Sequence, residues 1–139
     1  MKHLVIILLI WIVPVIAGDT NVPVKVEGHF RNSAMGIDLV KQVKNIVMHS
    51  GKLHLATEND SAFIMVEIKD TKIRALASAF AVAYGLQLSG NHAPFYLDQH
   101  VDICTADSVD ISRVATVIGY QIKVLRGEYL KHVMHDPIE

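Results

Sequence analysis

Three side chains that could do chemistry together stand at alternate positions in the second half of the chain: His100, Asp102 and Cys104. A histidine, a carboxylate and a thiol are the parts of a nucleophilic site, in which the base takes the thiol proton and the acid orients the base. Alternate residues of a strand face the same way, so this spacing gathers all three on one side. The distances work against catalysis. At about 3.3 Å per residue, His100 and Cys104 lie roughly 13 Å apart, whereas a base–nucleophile hydrogen bond spans about 3 Å. The set is better read as the polar face of a half-exposed strand. Cys104 is the only cysteine, so no internal disulfide can form. The thiol is either buried and inert, the usual state of a free cysteine, or available for a bridge to another chain.

The second constellation is His132, His135 and Asp136. Two imidazoles one helical turn apart can share copper or zinc, with the neighbouring carboxylate as a third donor. The same histidines also suit the negative end of a helix dipole with no metal at all. Asp107, Ser108 and Asp110 lack the ligand spacing of an EF-hand loop and read as helix capping. No Gly-x-Ser-x-Gly elbow, phosphate-binding glycine loop or dinucleotide fingerprint occurs. Asn59-Asp60-Ser61 fits an N-glycosylation sequon. Phe80, Tyr84 and Phe95 could line a small apolar pocket, but aromatic residues on a strand face more commonly form core. No catalytic residue and no cofactor is expected.

The elements that would position these residues follow from periodicity. Val22–Glu27 reads as a strand, with Pro23 moving it to a sheet edge or delaying its start. A helix follows, capped by Asn32 or Ser33 and stopped by Gly51 in the left-handed conformation. Its apolar stripe is Ile37, Val40, Val43, Val47 and Met48, with Asp38, Lys41, Gln42 and Asn45 on the wet side. Leu53 and Leu55 begin a short strand, and Ala62–Lys69 resumes extended with Ile64, Val66 and Ile68 on one face. A hairpin is the economical way to join the two.

Residues 75–88 place large side chains at the even positions Leu76, Phe80, Val82, Tyr84, Leu86 and Leu88, and alanine or glycine at most odd ones. A period of two is a strand pattern, although Ile73, Leu76, Phe80 and Tyr84 would also stack on one helical face. The strand reading also accounts for Val82 and Leu86, and it implies a central strand with helices close against its alanine face. Ser89–Pro94 is a turn by composition. Phe95–Cys104 alternates again, setting Leu97, Val101 and Ile103 opposite Asp98, His100, Asp102 and Cys104. A long helix closes the chain, with Ile111, Val114, Ala115, Ile118, Ile122, Leu125, Tyr129 and Val133 at helical spacing. Gly119 and Gly127 fall inside it, and Gly127 marks a kink or an early end. The expected fold is α+β: an antiparallel sheet of about five strands, two main helices packed against it, in the order β-α-β-β-β-β-α.

Residues 1–17 carry an address. A basic start at Lys2 and His3, an apolar run from Leu4 to Ile16 and the small-residue end Val15-Ile16-Ala17 make a secretory signal peptide. The run is shorter than the roughly 20 residues needed to span a bilayer. Cleavage after Ala17 leaves residues 18–139 as a single α+β domain, with 12 basic against 14 acidic residues. That balance holds no basic stripe for nucleic acid. With Ala17-Gly18-Asp19 where a lipoprotein needs its cysteine, no membrane anchor is expected after cleavage, and the product belongs in the periplasm or outside the cell.

Residues 33–70, a helix ending in Ser50-Gly51-Lys52-Leu53 and followed by paired strands, resemble small envelope modules such as the N-terminal domain of TolB. The Arg31-Asn32-Ser33 approach to the helix also resembles that of uncharacterised bacterial exported proteins. The resemblance carries over no catalytic residue. It implies a domain that works by contact, either with copies of itself as a homo-oligomer or with an envelope protein, and the histidine-dependent copper or zinc carrier is the alternative.

Overall fold

The computed structural model describes residues 21–30, 33–74 and 77–134. The signal sequence expected at residues 1–17 and the pair His135 and Asp136 therefore lie outside the described residues. Five strands form one sheet: β1 (Val22–His29), β2 (Leu53–Leu55), β3 (Phe63–Arg74), β4 (Ala77–Gln87) and β5 (Phe95–Thr105). Two helices, α1 (Ala34–His49) and α2 (Ser108–Met134), pack on each other and on one face of it. The α+β class and the element order are those expected from periodicity.

The sheet is mixed rather than wholly antiparallel. Its spatial order is β2-β1-β3-β4-β5. β3, β4 and β5 form an antiparallel meander, whereas β1 runs parallel to both of its neighbours. This overturns the expected hairpin between β2 and β3. Val22, Val24 and Val26 are all buried in the core beneath the helices, and β1 has a strand paired on each side. β2 ends with Leu55 level with Val24, and β3 begins near Ile64, also level with Val24. Residues 56–62 can thus step across β1 without a crossover helix. Asp60 fastens this loop by accepting the Thr57 N–H at 2.9 Å, and the Tyr129 hydroxyl donates to the Ala62 carbonyl at 3.2 Å. Pro23 is tolerated inside the sheet because it precedes Val24, where the pairing with β3 begins.

Ser33 caps α1, its Oγ accepting the Gly36 N–H at 3.0 Å, as its residue type favours. The buried face is Gly36, Leu39, Val43 and Val47. Ile37 and Met48, expected inside, are 64% and 54% exposed. The stripe is turned by about one residue because Gly36 lies against the Phe30 ring. A Cβ at Gly36 would meet that ring at 2.6 Å, and Phe30 in turn packs edge-on to Phe80. Gly51 does not take the left-handed conformation; among the described glycines only Gly90 has a positive φ, of 83°. Gly127 does not end α2, which continues to Met134. Gly119 lets the helices approach, since a Cβ there would stand 2.8 Å from Ile46 Cγ2.

β4 is a strand, but its faces are reversed from the expectation. Phe80, Val82, Tyr84 and Leu86 point to the helices and are buried. The alanines point away. Large side chains fill the space between sheet and helices better than methyl groups do, so the core takes the even positions. Among the described residues no helix is long and apolar enough to cross a membrane.

Candidate functional site

The helix side of β5 shows what the histidine, aspartate and cysteine do. His100, Asp102 and Cys104 share a face, as their spacing requires, and that face looks toward α2. Arg113 of α2 bonds Asp102 at 3.3 Å and Asp110 at 2.9 Å. Gln121 donates to Asp98 at 2.8 Å, and His100 stacks on Tyr84 with ring centroids 5.6 Å apart. The Arg113 and Gln121 contacts latch the edge strand to the helix, while the His100 stack ties it to β4. Cys104 is fully buried, and its Sγ–H donates to the Thr105 carbonyl. Burial, helped by the Asp110 carboxylate, pushes the thiol up to about 11, so a reactive thiolate is disfavoured. Phe80 and Tyr84 are core, while Phe95 is exposed.

Asp107 and Asp110 behave as capping groups. Asp107 Oδ1 accepts the Val109 N–H at 3.0 Å. Asp110 reaches back to accept the Thr105 N–H at 2.7 Å, and that bond, then Arg113, holds its carboxyl below the ordinary range. His132 lies exposed in the last turn of α2.

Among the described residues, no helix packs on the opposite face of the sheet. Across its middle run Ala79, Ala81 and Ala83 of β4, flanked by Glu67 and Lys69 of β3 and by Gln99 and Val101 of β5. Short side chains between longer ones make a groove of about 410 Å³. Val101 and Ile103 stand on this face 69% and 60% exposed. The strand that gives its polar residues to α2 thus gives its aliphatic ones to solvent. At the other end the register slips between Tyr84 and Gly85. A Cβ at Gly85 would come within 2.9 Å of the Phe95 carbonyl oxygen, so only glycine permits the bulge that turns Tyr96 onto this face.

On the same face, strand pairing assembles a group that sequence spacing did not reveal. Glu27 and Glu67 are direct partners across β1 and β3, and His29 stands opposite Lys69. One ligand atom from each of Glu27, His29 and Glu67 lies within 4.8 Å of the others. Lys25 Nζ holds Glu27 Oε1 at 2.9 Å, while Glu27 Oε2 faces His29 Nε2 at 3.9 Å. The Tyr96 hydroxyl donates to Glu67 Oε1 at 3.2 Å, and its own pKa is raised, by desolvation first and then by that carboxylate. The alternation Glu27-x-His29 was a visible signal for two of the three; Glu67 enters only through the parallel register.

No protein-family model matches the chain, and no curated protein matches it. Among solved structures the chain is similar to the PelC dodecamer from Paraburkholderia phytofirmans, at 16% identity over 78% of this chain and 86% of that one, with a TM-score of 0.48. It is also similar to a minor lipoprotein from Acinetobacter baumannii, at 17% identity over 75% of this chain and 92% of that one, with a TM-score of 0.44. A third, from Xanthomonas campestris, is 10% identical over 82% of this chain and 88% of that one, with a TM-score of 0.44. The TolB module is not among these three.

Proposed function

We propose that this protein is a non-enzymatic, exported contact domain that associates with a second copy of itself through the face of its sheet opposite α1 and α2. The observation that carries this reading is the exposure of Val101 and Ile103 beside the alanine row of β4. β-branched residues on a sheet face gain about 1.5–3 kcal/mol each when covered, and here nothing of the chain's described residues covers them. β4 and β5 run for 11 residues each, about 36 Å, and five strands span about 19 Å between the outer axes. A face of roughly 700 Å² in plan approaches the about 800 Å² per partner of a standard interface.

Its charges favour a copy of the same surface as the occupant. Lys25 and Glu27 alternate on β1, and Glu67 and Lys69 on β3. An isologous pairing sets residue i against j and j against i, so Lys25 or Lys69 of one copy can meet the Glu27–Glu67 pair of the other. Export rests on the signal sequence read in residues 1–17, and the periplasm or the cell exterior is the matching location.

The test is light scattering coupled to size exclusion on untagged protein, with Ala81→Arg and Val101→Asp as variants. The wild type is expected to run as a dimer or a larger species, and each variant as a monomer with an unchanged circular dichroism spectrum. A wild type that stays monomeric at high micromolar concentration would overturn the reading.

A further inference from the structure

We propose that Glu27, His29 and Glu67 form a zinc-binding site on the open face of the sheet. The site does not rest on self-association, and it differs from the histidine pair at the end of α2.

Two strands supply the donors in a fixed arrangement. Residues i and i+2 share a face, which sets Glu27 and His29 side by side on β1. The parallel register then sets Glu67 directly across from Glu27. Three atoms no more than 4.8 Å from one another have a common centre at most about 2.8 Å from each, so closing on an ion at about 2.0–2.2 Å needs shifts below about 1 Å. Side-chain torsions can supply that without moving the backbone. Gly28, between the two β1 donors, leaves no room for a side chain on the helix side, since a Cβ there would collide with the Phe30 ring and stand 2.9 Å from Val40 Cγ2.

Electrostatics points the same way. Like charges directly opposite on neighbouring strands repel, and Glu27 and Glu67 are so placed. Lys25 engages one oxygen of Glu27 and leaves the other toward His29. A divalent cation among the three donors converts the repulsion between the carboxylates into shared ligation. Tyr96 holds Glu67 Oε1 from outside, the outer-shell support that orients metal-ligating carboxylates. One imidazole and two carboxylates is a donor set zinc accepts, with a further position open to water. At nitrogen and oxygen sites zinc also outranks manganese in affinity.

The test is isothermal titration of zinc chloride into untagged full-length protein, with native mass spectrometry for stoichiometry. One zinc per chain with a micromolar Kd is expected. His29→Ala and Glu67→Gln should each weaken binding by at least about 10-fold, and Tyr96→Phe by about 10-fold with the stoichiometry kept. Circular dichroism melting of each variant separates ligand loss from unfolding, and His132→Ala should leave the isotherm unchanged. The proposal is overturned if zinc does not bind at millimolar concentration, if His29→Ala and Glu67→Gln bind as the wild type does, or if His132→Ala abolishes binding.

Discussion

Two glycines of the same helix should respond oppositely to the same substitution. Alanine is favoured over glycine inside a helix by about 1 kcal/mol. At Gly127 an added Cβ meets nothing within 4 Å, so Gly127→Ala should gain close to that full amount, raising Tm by roughly 3–6 °C for a domain of this size. At Gly119 the Cβ would stand 2.8 Å from Ile46 Cγ2 and 3.4 Å from its Cδ1. Carbon atoms rest at about 3.5–4.0 Å, so α1 or Ile46 must give way by up to about 1 Å. Overpacking of this kind costs about 1–3 kcal/mol, which cancels or outweighs the gain in propensity. Gly119→Ala should therefore be neutral or destabilising by up to about 2 kcal/mol. Thermal and urea melts of the two variants read the difference. In an Ile46→Ala background the obstructing methyl is gone, and Gly119→Ala should recover its gain of about 1 kcal/mol. Equal stabilisation by both glycine substitutions in the wild-type background would refute the close packing of the helices at Gly119.

Cys104 is expected to resist thiol reagents in the native state at pH 8. With its pKa at about 11 only about a thousandth of it is thiolate, and it should label promptly once denatured; rapid stoichiometric labelling of the native protein would contradict its burial. Asp110 has a lowered folded pKa, so it contributes stability above the ordinary carboxylate range that is lost as the pH falls through its lower folded value. Asp110→Asn should reduce stability at neutral pH and flatten the acid limb of the stability–pH curve. Parallel curves for variant and wild type would show that the bonds to Thr105 and Arg113 contribute nothing.

The order of elements was legible because each long segment has one dominant period. The alternation in residues 77–87 identifies β4, and the steps of three and four from Ile111 to Tyr129 identify α2. What periodicity left open was which side of an element faces inward. β4 presents apolar residues on both faces, and only the volume to be filled beneath the helices assigns Phe80 and Tyr84 to the core and the alanines to the outside. In α1 the stripe through Ile37 and the one through Leu39 compete, and the seat of Phe30 against Gly36 decides between them. Pairing was the least legible level. Nothing local tells β1 to enter between β2 and β3, and Glu67 reaches Glu27 and His29 only through that arrangement. His100, Asp102 and Cys104, by contrast, were correctly placed on one face by spacing alone, and their distances were enough to argue against a triad.

The place of β1 has a consequence for the order of assembly. It is made before its neighbours in the sheet, yet it pairs with residues as distant as Ile64 for Val24. The meander of β3, β4 and β5 joins segments adjacent in the chain and can zip first, since short loops close at less entropic cost than long ones. Until β1 arrives, β3 presents a bare row of N–H and C=O groups along its outer side. Such an edge accepts any strand of matching pattern, including β1 from a neighbouring copy. Late insertion of the first strand thus makes strand exchange the natural misassembly of this fold at high concentration, with each chain lending β1 to the other.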